Sequence, residues 1–156
     1  MRRKDKQIKQ EHEIKQILQS NKVLRLGLSY NDIPYIVPMN YAYEAGYIFL
    51  HCANEGKKLQ IIDNNDNCCF EITDSVNIIG SQDGCNCTTE YASVIGFGKI
   101  ERVLEKSEKE YALKSLIRQI LGKESYHMSD GAIDEVSVLK ITIDTLTGKR
   151  SKATTA

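Results

Sequence analysis

Three short apolar runs separated by tight turns limit the folds open to this chain. VLRLGLSY, YIVPMNYAY and YIFLHC lie between residues 23 and 52, with NDIP and EAG between them. In the first run Leu24, Leu26 and Leu28 alternate with polar or small residues, a period of two that is typical of a half-buried strand. NDIP and EAG are turn sequences. The three runs therefore predict an antiparallel meander.

Three further strands are predicted later in the chain, in CCFEIT, EYASVIGFGKIERVL and VSVLKITID. Gly96 and Gly98, two residues apart, indicate a bend or bulge in the longest of them. Residues 74–89 hold Ser, Asp, Gly and Asn together with two cysteines, and they predict a long loop. Residues 149–156 predict a polar tail. The chain is thus expected to contain about six strands.

Two helices are predicted before residue 66. Ile8, Ile14 and Ile17 have helical spacing among charged and amide residues, which places an amphipathic helix within residues 1–20. KKLQIIDNN, which follows the third strand, predicts a short helix that ends at its two asparagines.

A longer helix is predicted between the fifth and sixth strands. Ser107 is its expected cap, Glu110 three residues later completes a capping box, and Gly122 ends it. The residues expected on its buried face are Leu113, Leu116, Ile117 and Ile120.

Many short antiparallel strands with few helices predict a mainly β domain, a small barrel with peripheral helices, over residues 1–156. No Walker or dinucleotide glycine motif is present. The 21 basic and 21 acidic residues balance, which argues against nucleic acid as a partner. No apolar run is long enough for a signal peptide or a membrane span, so the cytoplasm is the expected location.

The five cysteines and three histidines do not form a zinc motif. Cys85 and Cys87 are closer than the two-residue spacer common in zinc knuckles. Cys68 and Cys69 are adjacent in a strand, so they point to opposite faces and at least one fills the core. Free thiols and no bound metal are therefore expected.

His51 and Cys52 stand side by side at the end of the third strand. A nucleophile and its base must hydrogen-bond to each other. Neighbours on a strand point to opposite faces, which argues against this pair as a catalytic dyad.

Gly56, Lys57 and Lys58 follow, where the short helix is expected to begin. Lysines in a first turn lie at the positive end of the helix macrodipole, where cations are disfavoured. A bound phosphate would remove that conflict, because the glycine allows close approach and the lysines neutralise the anion. A solvated pair of lysines at a frayed helix end explains the pattern equally well, so both interpretations stay open.

Pro38 interrupts the second strand and has no N–H for a ladder, which indicates an edge, a bulge or a contact with a ligand. Asn40 carries two donors and an acceptor, which suits a planar heterocycle. An exposed asparagine on an edge strand is the alternative.

Tyr91 and Ser93 share one face of the longest strand.

Four segments, taken in order, resemble the flavin-binding split-barrel superfamily, the pyridoxamine 5′-phosphate oxidase-like proteins. They are YIVPMNYAYEAGYIFLHCANEGKKLQ, CCFEIT, EYASVIGFGKIE and LKITIDTLTGKRS. The chain looks most similar to their nitroimidazole-resistance (Nim-type) branch. The resemblance implies a six-stranded antiparallel split barrel that works as a homodimer. It also implies FMN, or FAD, at the subunit interface.

The resemblance implies cofactor-binding residues in four groups. They are Pro38, Met39 and Asn40 along the isoalloxazine ring, His51, Cys52 and Ala53 beside the ring or the ribityl chain, Gly56, Lys57 and Lys58 around the phosphate, and Tyr91 and Ser93 at the dimer interface. His51 is the catalytic candidate, because a histidine at this position of the Nim-type branch lies beside the cofactor.

The function implied is that of an FMN-dependent oxidoreductase. It would reduce a small organic acceptor, such as a nitroimidazole or another nitroaromatic, with a nicotinamide donor. The flavin would carry the redox chemistry, and the protein would anchor and orient it. The alternative is a non-catalytic protein that stores or senses flavin or haem on the same barrel, because both functions would use the same residues to bind the ring.

Overall fold

A computed structural model describes residues 2–82, 84–123 and 128–151. The strands are β1 (Gln7–Ile8), β2 (Val23–Tyr30), β3 (Ile33–Glu44), β4 (Tyr47–Ala53), β5 (Asn67–Ile79), β6 (Thr88–Val103) and β7 (Val136–Ser151). The α-helices are α1 (Glu11–Ser20), α2 (Lys57–Ile62), α3 (Lys106–Leu121) and α4 (Asp130–Asp134). Short 3-10 turns occupy Lys4–Lys6 and Gly84–Asn86.

Strands β2 to β7 form one closed antiparallel ring. Its order is β7-β4-β3-β2-β5-β6, and β6 pairs again with β7. Two-residue β1 adds to the other edge of β7, where Gln7 pairs with Lys149. The predicted mainly β fold, a six-stranded antiparallel barrel with peripheral helices, is confirmed.

The core lies inside the ring and follows from the period-two patterns of the strands. Leu24, Leu26 and Leu28 of β2 are at most 4% exposed, and the residues between them face outward. Helix α2, which packs against β2, adds Leu59 and Ile62 to the same core. The burial of these side chains is the main stabilising contribution to the barrel.

Strands β3 and β4 pair along only part of their length, and this parting is the most distinctive feature of the barrel. Within the described residues their ladder runs from Glu44–Tyr47 to Tyr41–Leu50 and ends there. Beyond this ladder, β3 pairs with β2 as far as Ile33, and β4 pairs with β7 as far as Ala53. The two strands therefore separate, and a gap opens between them at the surface.

The N-terminal segment differs from the prediction of one helix within residues 1–20. The α-helix begins only at Glu11, and Ile8 lies in β1. Ile8 pairs with Gly148, where a Cβ would come within 2.9 Å of the Ile8 side chain. The glycine thus makes room for Ile8 on the sheet, a tertiary contact that helical spacing cannot reveal.

The predicted cap of the long helix is wrong. Helix α3 begins at Lys106 after Glu105, and Ser107 lies within its first turn instead of capping it. The predicted end is right: Gly122 adopts a left-handed φ of 67° and its N–H donates to the Arg118 carbonyl at 2.9 Å.

The long loop predicted over residues 74–89 is also wrong in its extent. Strand β5 runs on to Ile79 and β6 begins at Thr88, and the two pair as a hairpin arm. Residues 149–151 of the predicted polar tail belong to β7, and residues 152–156 lie outside the described residues. Val76 and Ile78 of the arm alternate with Ser75 and Asn77, but all four are exposed, so this short alternation does not mark a buried face.

The predicted irregularity at Gly96 and Gly98 is confirmed. The β6–β7 register shifts between Phe97 and Gly98. A Cβ on Gly98 would come within 2.1 Å of the Thr142 carbonyl oxygen, so only glycine fits there.

We predict that Gly98→Ala lowers the free energy of unfolding by about 1–3 kcal/mol, because the clash is with backbone and cannot be relieved by a rotamer change. Urea unfolding followed by circular dichroism measures the loss. Gly80→Ala is the matched control, since a Cβ there meets no heavy atom within 4 Å, and its effect should stay within about 0.5 kcal/mol. Equal losses in both variants would contradict this account of Gly98.

Candidate ligand-binding site

The parting of β3 and β4 brings together three of the four groups of candidate residues. Pro38 to Asn40 lie on the free edge of β3, and His51 to Ala53 lie on the facing part of β4. Gly56 to Lys58 follow at the start of α2. The unbroken register of Pro38 with Arg25 shows that the proline lies on an edge and not at a bulge.

Side chains on the two sides of the gap alternate between core and surface. Met39 and Cys52 are 8% and 9% exposed and belong to the core. Asn40, His51 and Ala53 are exposed. The prediction that His51 and Cys52 point to opposite faces is confirmed. A ligand in the gap would therefore meet the His51 side chain but only the backbone of Cys52.

Asn40 and His51 form the polar floor of a cavity of about 330 Å³ beneath α3. Its other wall is apolar and consists of Leu113, Leu116, Ile117, Ile120 and Leu121. The Asn40 amide nitrogen donates to the Lys22 carbonyl at 3.1 Å, so its carbonyl oxygen is left for another partner.

Three of the α3 residues predicted to be buried are only half-buried. Leu116 is 2% exposed, but Leu113, Ile117 and Ile120 have intermediate exposure. The reason is the cavity in front of them, which helical spacing alone could not indicate.

Two hydrogen bonds fix the turn between β4 and α2. The Asn54 amide donates to the Asp134 carbonyl at 3.0 Å, and the Ser137 hydroxyl donates to the Asn54 side-chain oxygen at 2.8 Å. The turn is thereby tied to α4 and β7. Sequence reasoning missed Asn54 and Ser137, although an asparagine just after a strand is a recognised turn signal.

Gly56 and the two lysines occupy the places that the sequence predicts. Gly56 has a φ of 129°, which a residue with a side chain rarely adopts, and Lys57 is the first residue of α2. The first turn of α2 contains no acidic residue. Lys57 is exposed, with its ammonium group 5.3 Å from the centre of the Tyr35 ring, and Lys58 is half-buried.

The cysteine thiols near this region are poorly suited to nucleophilic chemistry. Burial raises the pKa of Cys52, which the nearby charges of Lys58 and Arg102 only partly oppose. Burial also raises the pKa of Cys68 to about 12. Both thiols are therefore protonated at neutral pH and unreactive. All five cysteines are free, and Cys68 is buried while Cys69 is half-buried, as strand alternation predicts.

In the described part of the chain, no group of three or more His, Cys, Asp and Glu side chains comes together to form a metal-binding cluster. His127 lies outside the described residues. No helix within those residues is long and apolar enough to cross a membrane.

Tyr91 and Ser93 point outward from β6 and do not reach the gap. They share one face, opposite buried Ala92 and Val94, as predicted. On β7, Ser151 pairs with Tyr91 and Val138 pairs with His51, and these two positions are separated by roughly 40 Å of strand. Within one protomer the structure thus leaves this group apart from the other three.

An uncovered apolar surface lies between Tyr91 and the gap, and we call it the open face. Two cross-strand rows define it: Ile36, Gly27, Cys69 and Phe97, and beside them Pro38, Arg25, Glu71 and Ile95. Ile36 is 69% exposed and Phe97 55%. Gly27 leaves room for the Cys69 side chain, because a Cβ would come within 2.6 Å of its sulfur. Large exposed apolar patches of this kind mark interaction surfaces.

Residues 10–150 match the family model described as pyridoxamine 5′-phosphate oxidase. This match confirms the resemblance inferred from the sequence. No curated protein sequence matches the chain.

Solved structures share the fold. A candidate 5-nitroimidazole antibiotic resistance protein from Bacteroides thetaiotaomicron is 28% identical, covers 92% of this chain and 86% of its own, and has a TM-score of 0.82. The flavocytochrome Anf3 of Azotobacter vinelandii is 15% identical, with 98% and 72% coverage and a TM-score of 0.83. An FAD- and haem-binding protein from Mycobacterium smegmatis is 16% identical, with 95% and 74% coverage and a TM-score of 0.83.

Proposed function

Because the chain belongs to the pyridoxamine 5′-phosphate oxidase family, we propose that it is a flavoprotein oxidoreductase. FMN, rather than FAD, is the cofactor we expect. It would occupy the parting of β3 and β4, and the protein would use it to reduce a small organic acceptor with a nicotinamide donor. The nitroimidazole-resistance protein among the similar structures supports a nitroaromatic as that acceptor.

The observation that carries the proposal is the parting itself. Two strand edges that no longer pair with each other offer backbone donors and acceptors along a surface gap. Asn40 and His51 lie on the two sides of this gap, and Gly56 and Lys57 lie beyond its end. A flat, polar-edged ring with an anionic tail matches this order of groups.

The phosphate end of the ligand would lie at Gly56, Lys57 and Lys58. A Cβ on Gly56 would meet no heavy atom within 4 Å, so an anion can approach the backbone there. The first turn of α2 contains two lysine ammonium groups and no acidic residue. Their positive charge would attract a phosphate group. Asn54 positions this turn through its bonds to Asp134 and Ser137.

The ring end would lie between Pro38–Asn40 and His51–Ala53. When bound, the flavin supplies hydride and electron transfer to and from small molecules. Asn40 orients the ring with its free side-chain oxygen. His51 is exposed at the edge of the ring site and can give a proton to the acceptor or take one from it.

We predict that Lys57→Ala weakens flavin binding about 10- to 100-fold, the effect of losing one charge-assisted bond. Fluorescence titration of the flavin-free protein with FMN measures it. Lys114→Ala is the matched control, because Lys114 lies on α3 in a surface ion pair with Glu110, and it should bind FMN like the wild type. Unchanged affinity in Lys57→Ala would remove the phosphate site from the proposal.

We also propose that the protein works as a homodimer through the open face. In a two-fold dimer the same patch serves both subunits. Tyr91 and Ser93 of one copy can then approach the gap of the other, which would unite the fourth group with the first three. Arg25 and Glu71 pair at 3.0 Å in the middle of this face, and their opposite charges suit packing against a second copy.

Phe97→Asp is expected to convert the dimer to a monomer, because it places an unpaired charge in the interface. Sedimentation velocity gives the state of assembly. Leu104→Asp, at a position 80% exposed and outside the open face, should leave the dimer intact. A wild-type protein that sediments as a monomer would overturn the proposal of a shared site.

The two alternative functions, a flavin-dependent enzyme and a non-catalytic storage protein, differ in one property. An enzyme accepts electrons from a nicotinamide donor, so anaerobic NADH or NADPH should bleach the visible flavin band of the purified protein. In that case His51→Ala should keep its flavin and lose about 10²- to 10⁴-fold in turnover of a nitroaromatic acceptor. A flavin band that persists with both donors, or a haem spectrum, would instead indicate the non-catalytic binding protein.

A further inference from the structure

Two cysteines lie together at the tip of the hairpin arm, where neither the core nor the proposed flavin site uses them. Cys85 and Cys87 are separated by a single residue, and both are exposed. They share one turn, the 3-10 segment Gly84–Asn86, and the Cys87 N–H closes it by donating to the Gly84 carbonyl at 3.4 Å. One short, exposed turn therefore carries both thiols.

The surroundings of these two thiols differ from those of the other three. Cys52 and Cys68 belong to the core, and Cys69 is half-buried. Cysteine is among the most buried residue types, because its side chain packs as a small apolar group. Exposed positions give Cys85 and Cys87 no such packing role. Their accessible sulfur atoms can instead react with small molecules in solution.

A closed zinc site needs more ligands than this turn supplies. Four cysteine or histidine side chains usually complete such a site. In the part of the chain that the structure describes, no third His, Cys, Asp or Glu side chain gathers with the two thiols. The chemistry to consider is therefore that between the two sulfur atoms.

The turn can bring these sulfur atoms into bonding distance. Residues two apart have Cα atoms at most about 7 Å apart in an extended chain and closer together in a turn, and a disulfide spans roughly 4.4–6.8 Å between Cα atoms. The tip has room to adjust, because a Cβ on Gly80 or Gly84 would meet no heavy atom within 4 Å. The β5–β6 ladder ends before the turn, at the pair Ile79–Thr88. A bond between the two cysteines therefore requires no movement of the barrel.

A disulfide in this turn would be easily reversed. It closes a loop of only three residues, and so small a loop restricts the unfolded chain very little. Disulfides that are strained or exposed to solvent are the ones most readily reduced. Both features suit a bond that opens and closes by exchange, not a permanent structural link.

We propose that Cys85 and Cys87 form a reversible dithiol–disulfide site that exchanges with low-molecular-weight disulfides and thiols of the glutathione class. One cysteine thiolate attacks a sulfur of the small disulfide, whose S–S bond breaks, and one small thiolate leaves. The other cysteine thiolate then attacks the protein sulfur of this mixed disulfide and displaces the second small thiolate. Two electrons pass to the small disulfide, and the two cysteine protons go to solvent. Excess small thiol reverses both steps.

Glutathione buffers test the site in the intact protein. The native chain is equilibrated in mixtures of reduced and oxidised glutathione, its remaining thiols are blocked with a maleimide, and it is cleaved at glutamate. Cleavage after Glu71 and Glu90 releases residues 72–90, in which Cys85 and Cys87 are the only cysteines. By mass spectrometry this peptide should carry two maleimides in reduced glutathione. In oxidised glutathione it should carry none and weigh two hydrogen atoms less than the dithiol.

The other close pair of cysteines is the matched control within the same molecule. Cleavage after Glu55 and Glu71 releases residues 56–71, which contain Cys68 and Cys69. Because strand alternation directs these two side chains to opposite faces, the peptide should form no internal disulfide in the same mixtures. Internal disulfides in both peptides alike would overturn the assignment to the turn.

Serine variants separate ring closure from simple accessibility. Cys85→Ser and Cys87→Ser each keep one exposed thiol, which should accumulate as a stable mixed disulfide with glutathione, because the sulfur that would displace the glutathione is gone. Circular dichroism of both variants should match the wild type, since the turn is exposed.

Three results for the wild type would overturn the proposal. They are a 72–90 peptide that stays reduced in oxidised glutathione, one that carries glutathione on both thiols, and a disulfide between two chains in place of the internal bond. The inference goes beyond the proposed function, because the turn lies outside the proposed flavin site. The same titration of flavin-free protein should therefore give the same midpoint, and a failure to bind flavin would leave this test intact.

Discussion

The structure depends on how two neighbouring strands share their hydrogen bonds. Strand β3 pairs with β4 only from Glu44 to Tyr41, and from Asn40 to Ile33 it pairs with β2 alone. Backbone polar groups need partners when they are buried, so this divergence is tolerable only at the surface. Helix α2 packs against β2 and adds Leu59 and Ile62 to the core. The ring thus stays closed around its core while a gap opens on its surface, and the candidate ligand site lies in that gap.

The same constraint is the reason why we propose a site shared between two copies of the chain. Asn40 and His51 lie at the gap, but Tyr91 lies on β6, on the other side of the open face. One protomer does not bring these residues together, and in the proposed dimer the copy packed on the open face would supply Tyr91. The apolar exposure of Ile36 and Phe97, the separation of the candidate residues and the proposed dimer are therefore three aspects of one arrangement. Helix α3 completes it by placing an apolar wall opposite His51.

Sequence patterns predicted the elements whose burial is local and missed those that depend on distant partners. The alternation of apolar and polar residues was sufficient to predict β2. It also predicted that His51 and Cys52 point to opposite faces, because strand geometry alone decides both. The hairpin arm up to Ile79 escapes such a prediction, because its alternating Val76 and Ile78 are exposed, and pairing, not burial, stabilises the segment. Sequence patterns also failed for Ile8, whose place on the sheet depends on a glycine 140 positions later. The cavity was hidden for a similar reason: the spacing of Ile117 shows that it faces inward on α3, but not what lies in front of it.

Hydrogen–deuterium exchange with and without FMN tests the central claim, that the parting of β3 and β4 is a flavin site. Added to the flavin-free protein, FMN should slow exchange at the amides of residues 39–41 and 51–58, and at those around Tyr91 if the site is shared. No slowing in these segments, or protection confined to another surface such as the polar groove between Arg3 and Arg150, would contradict the account.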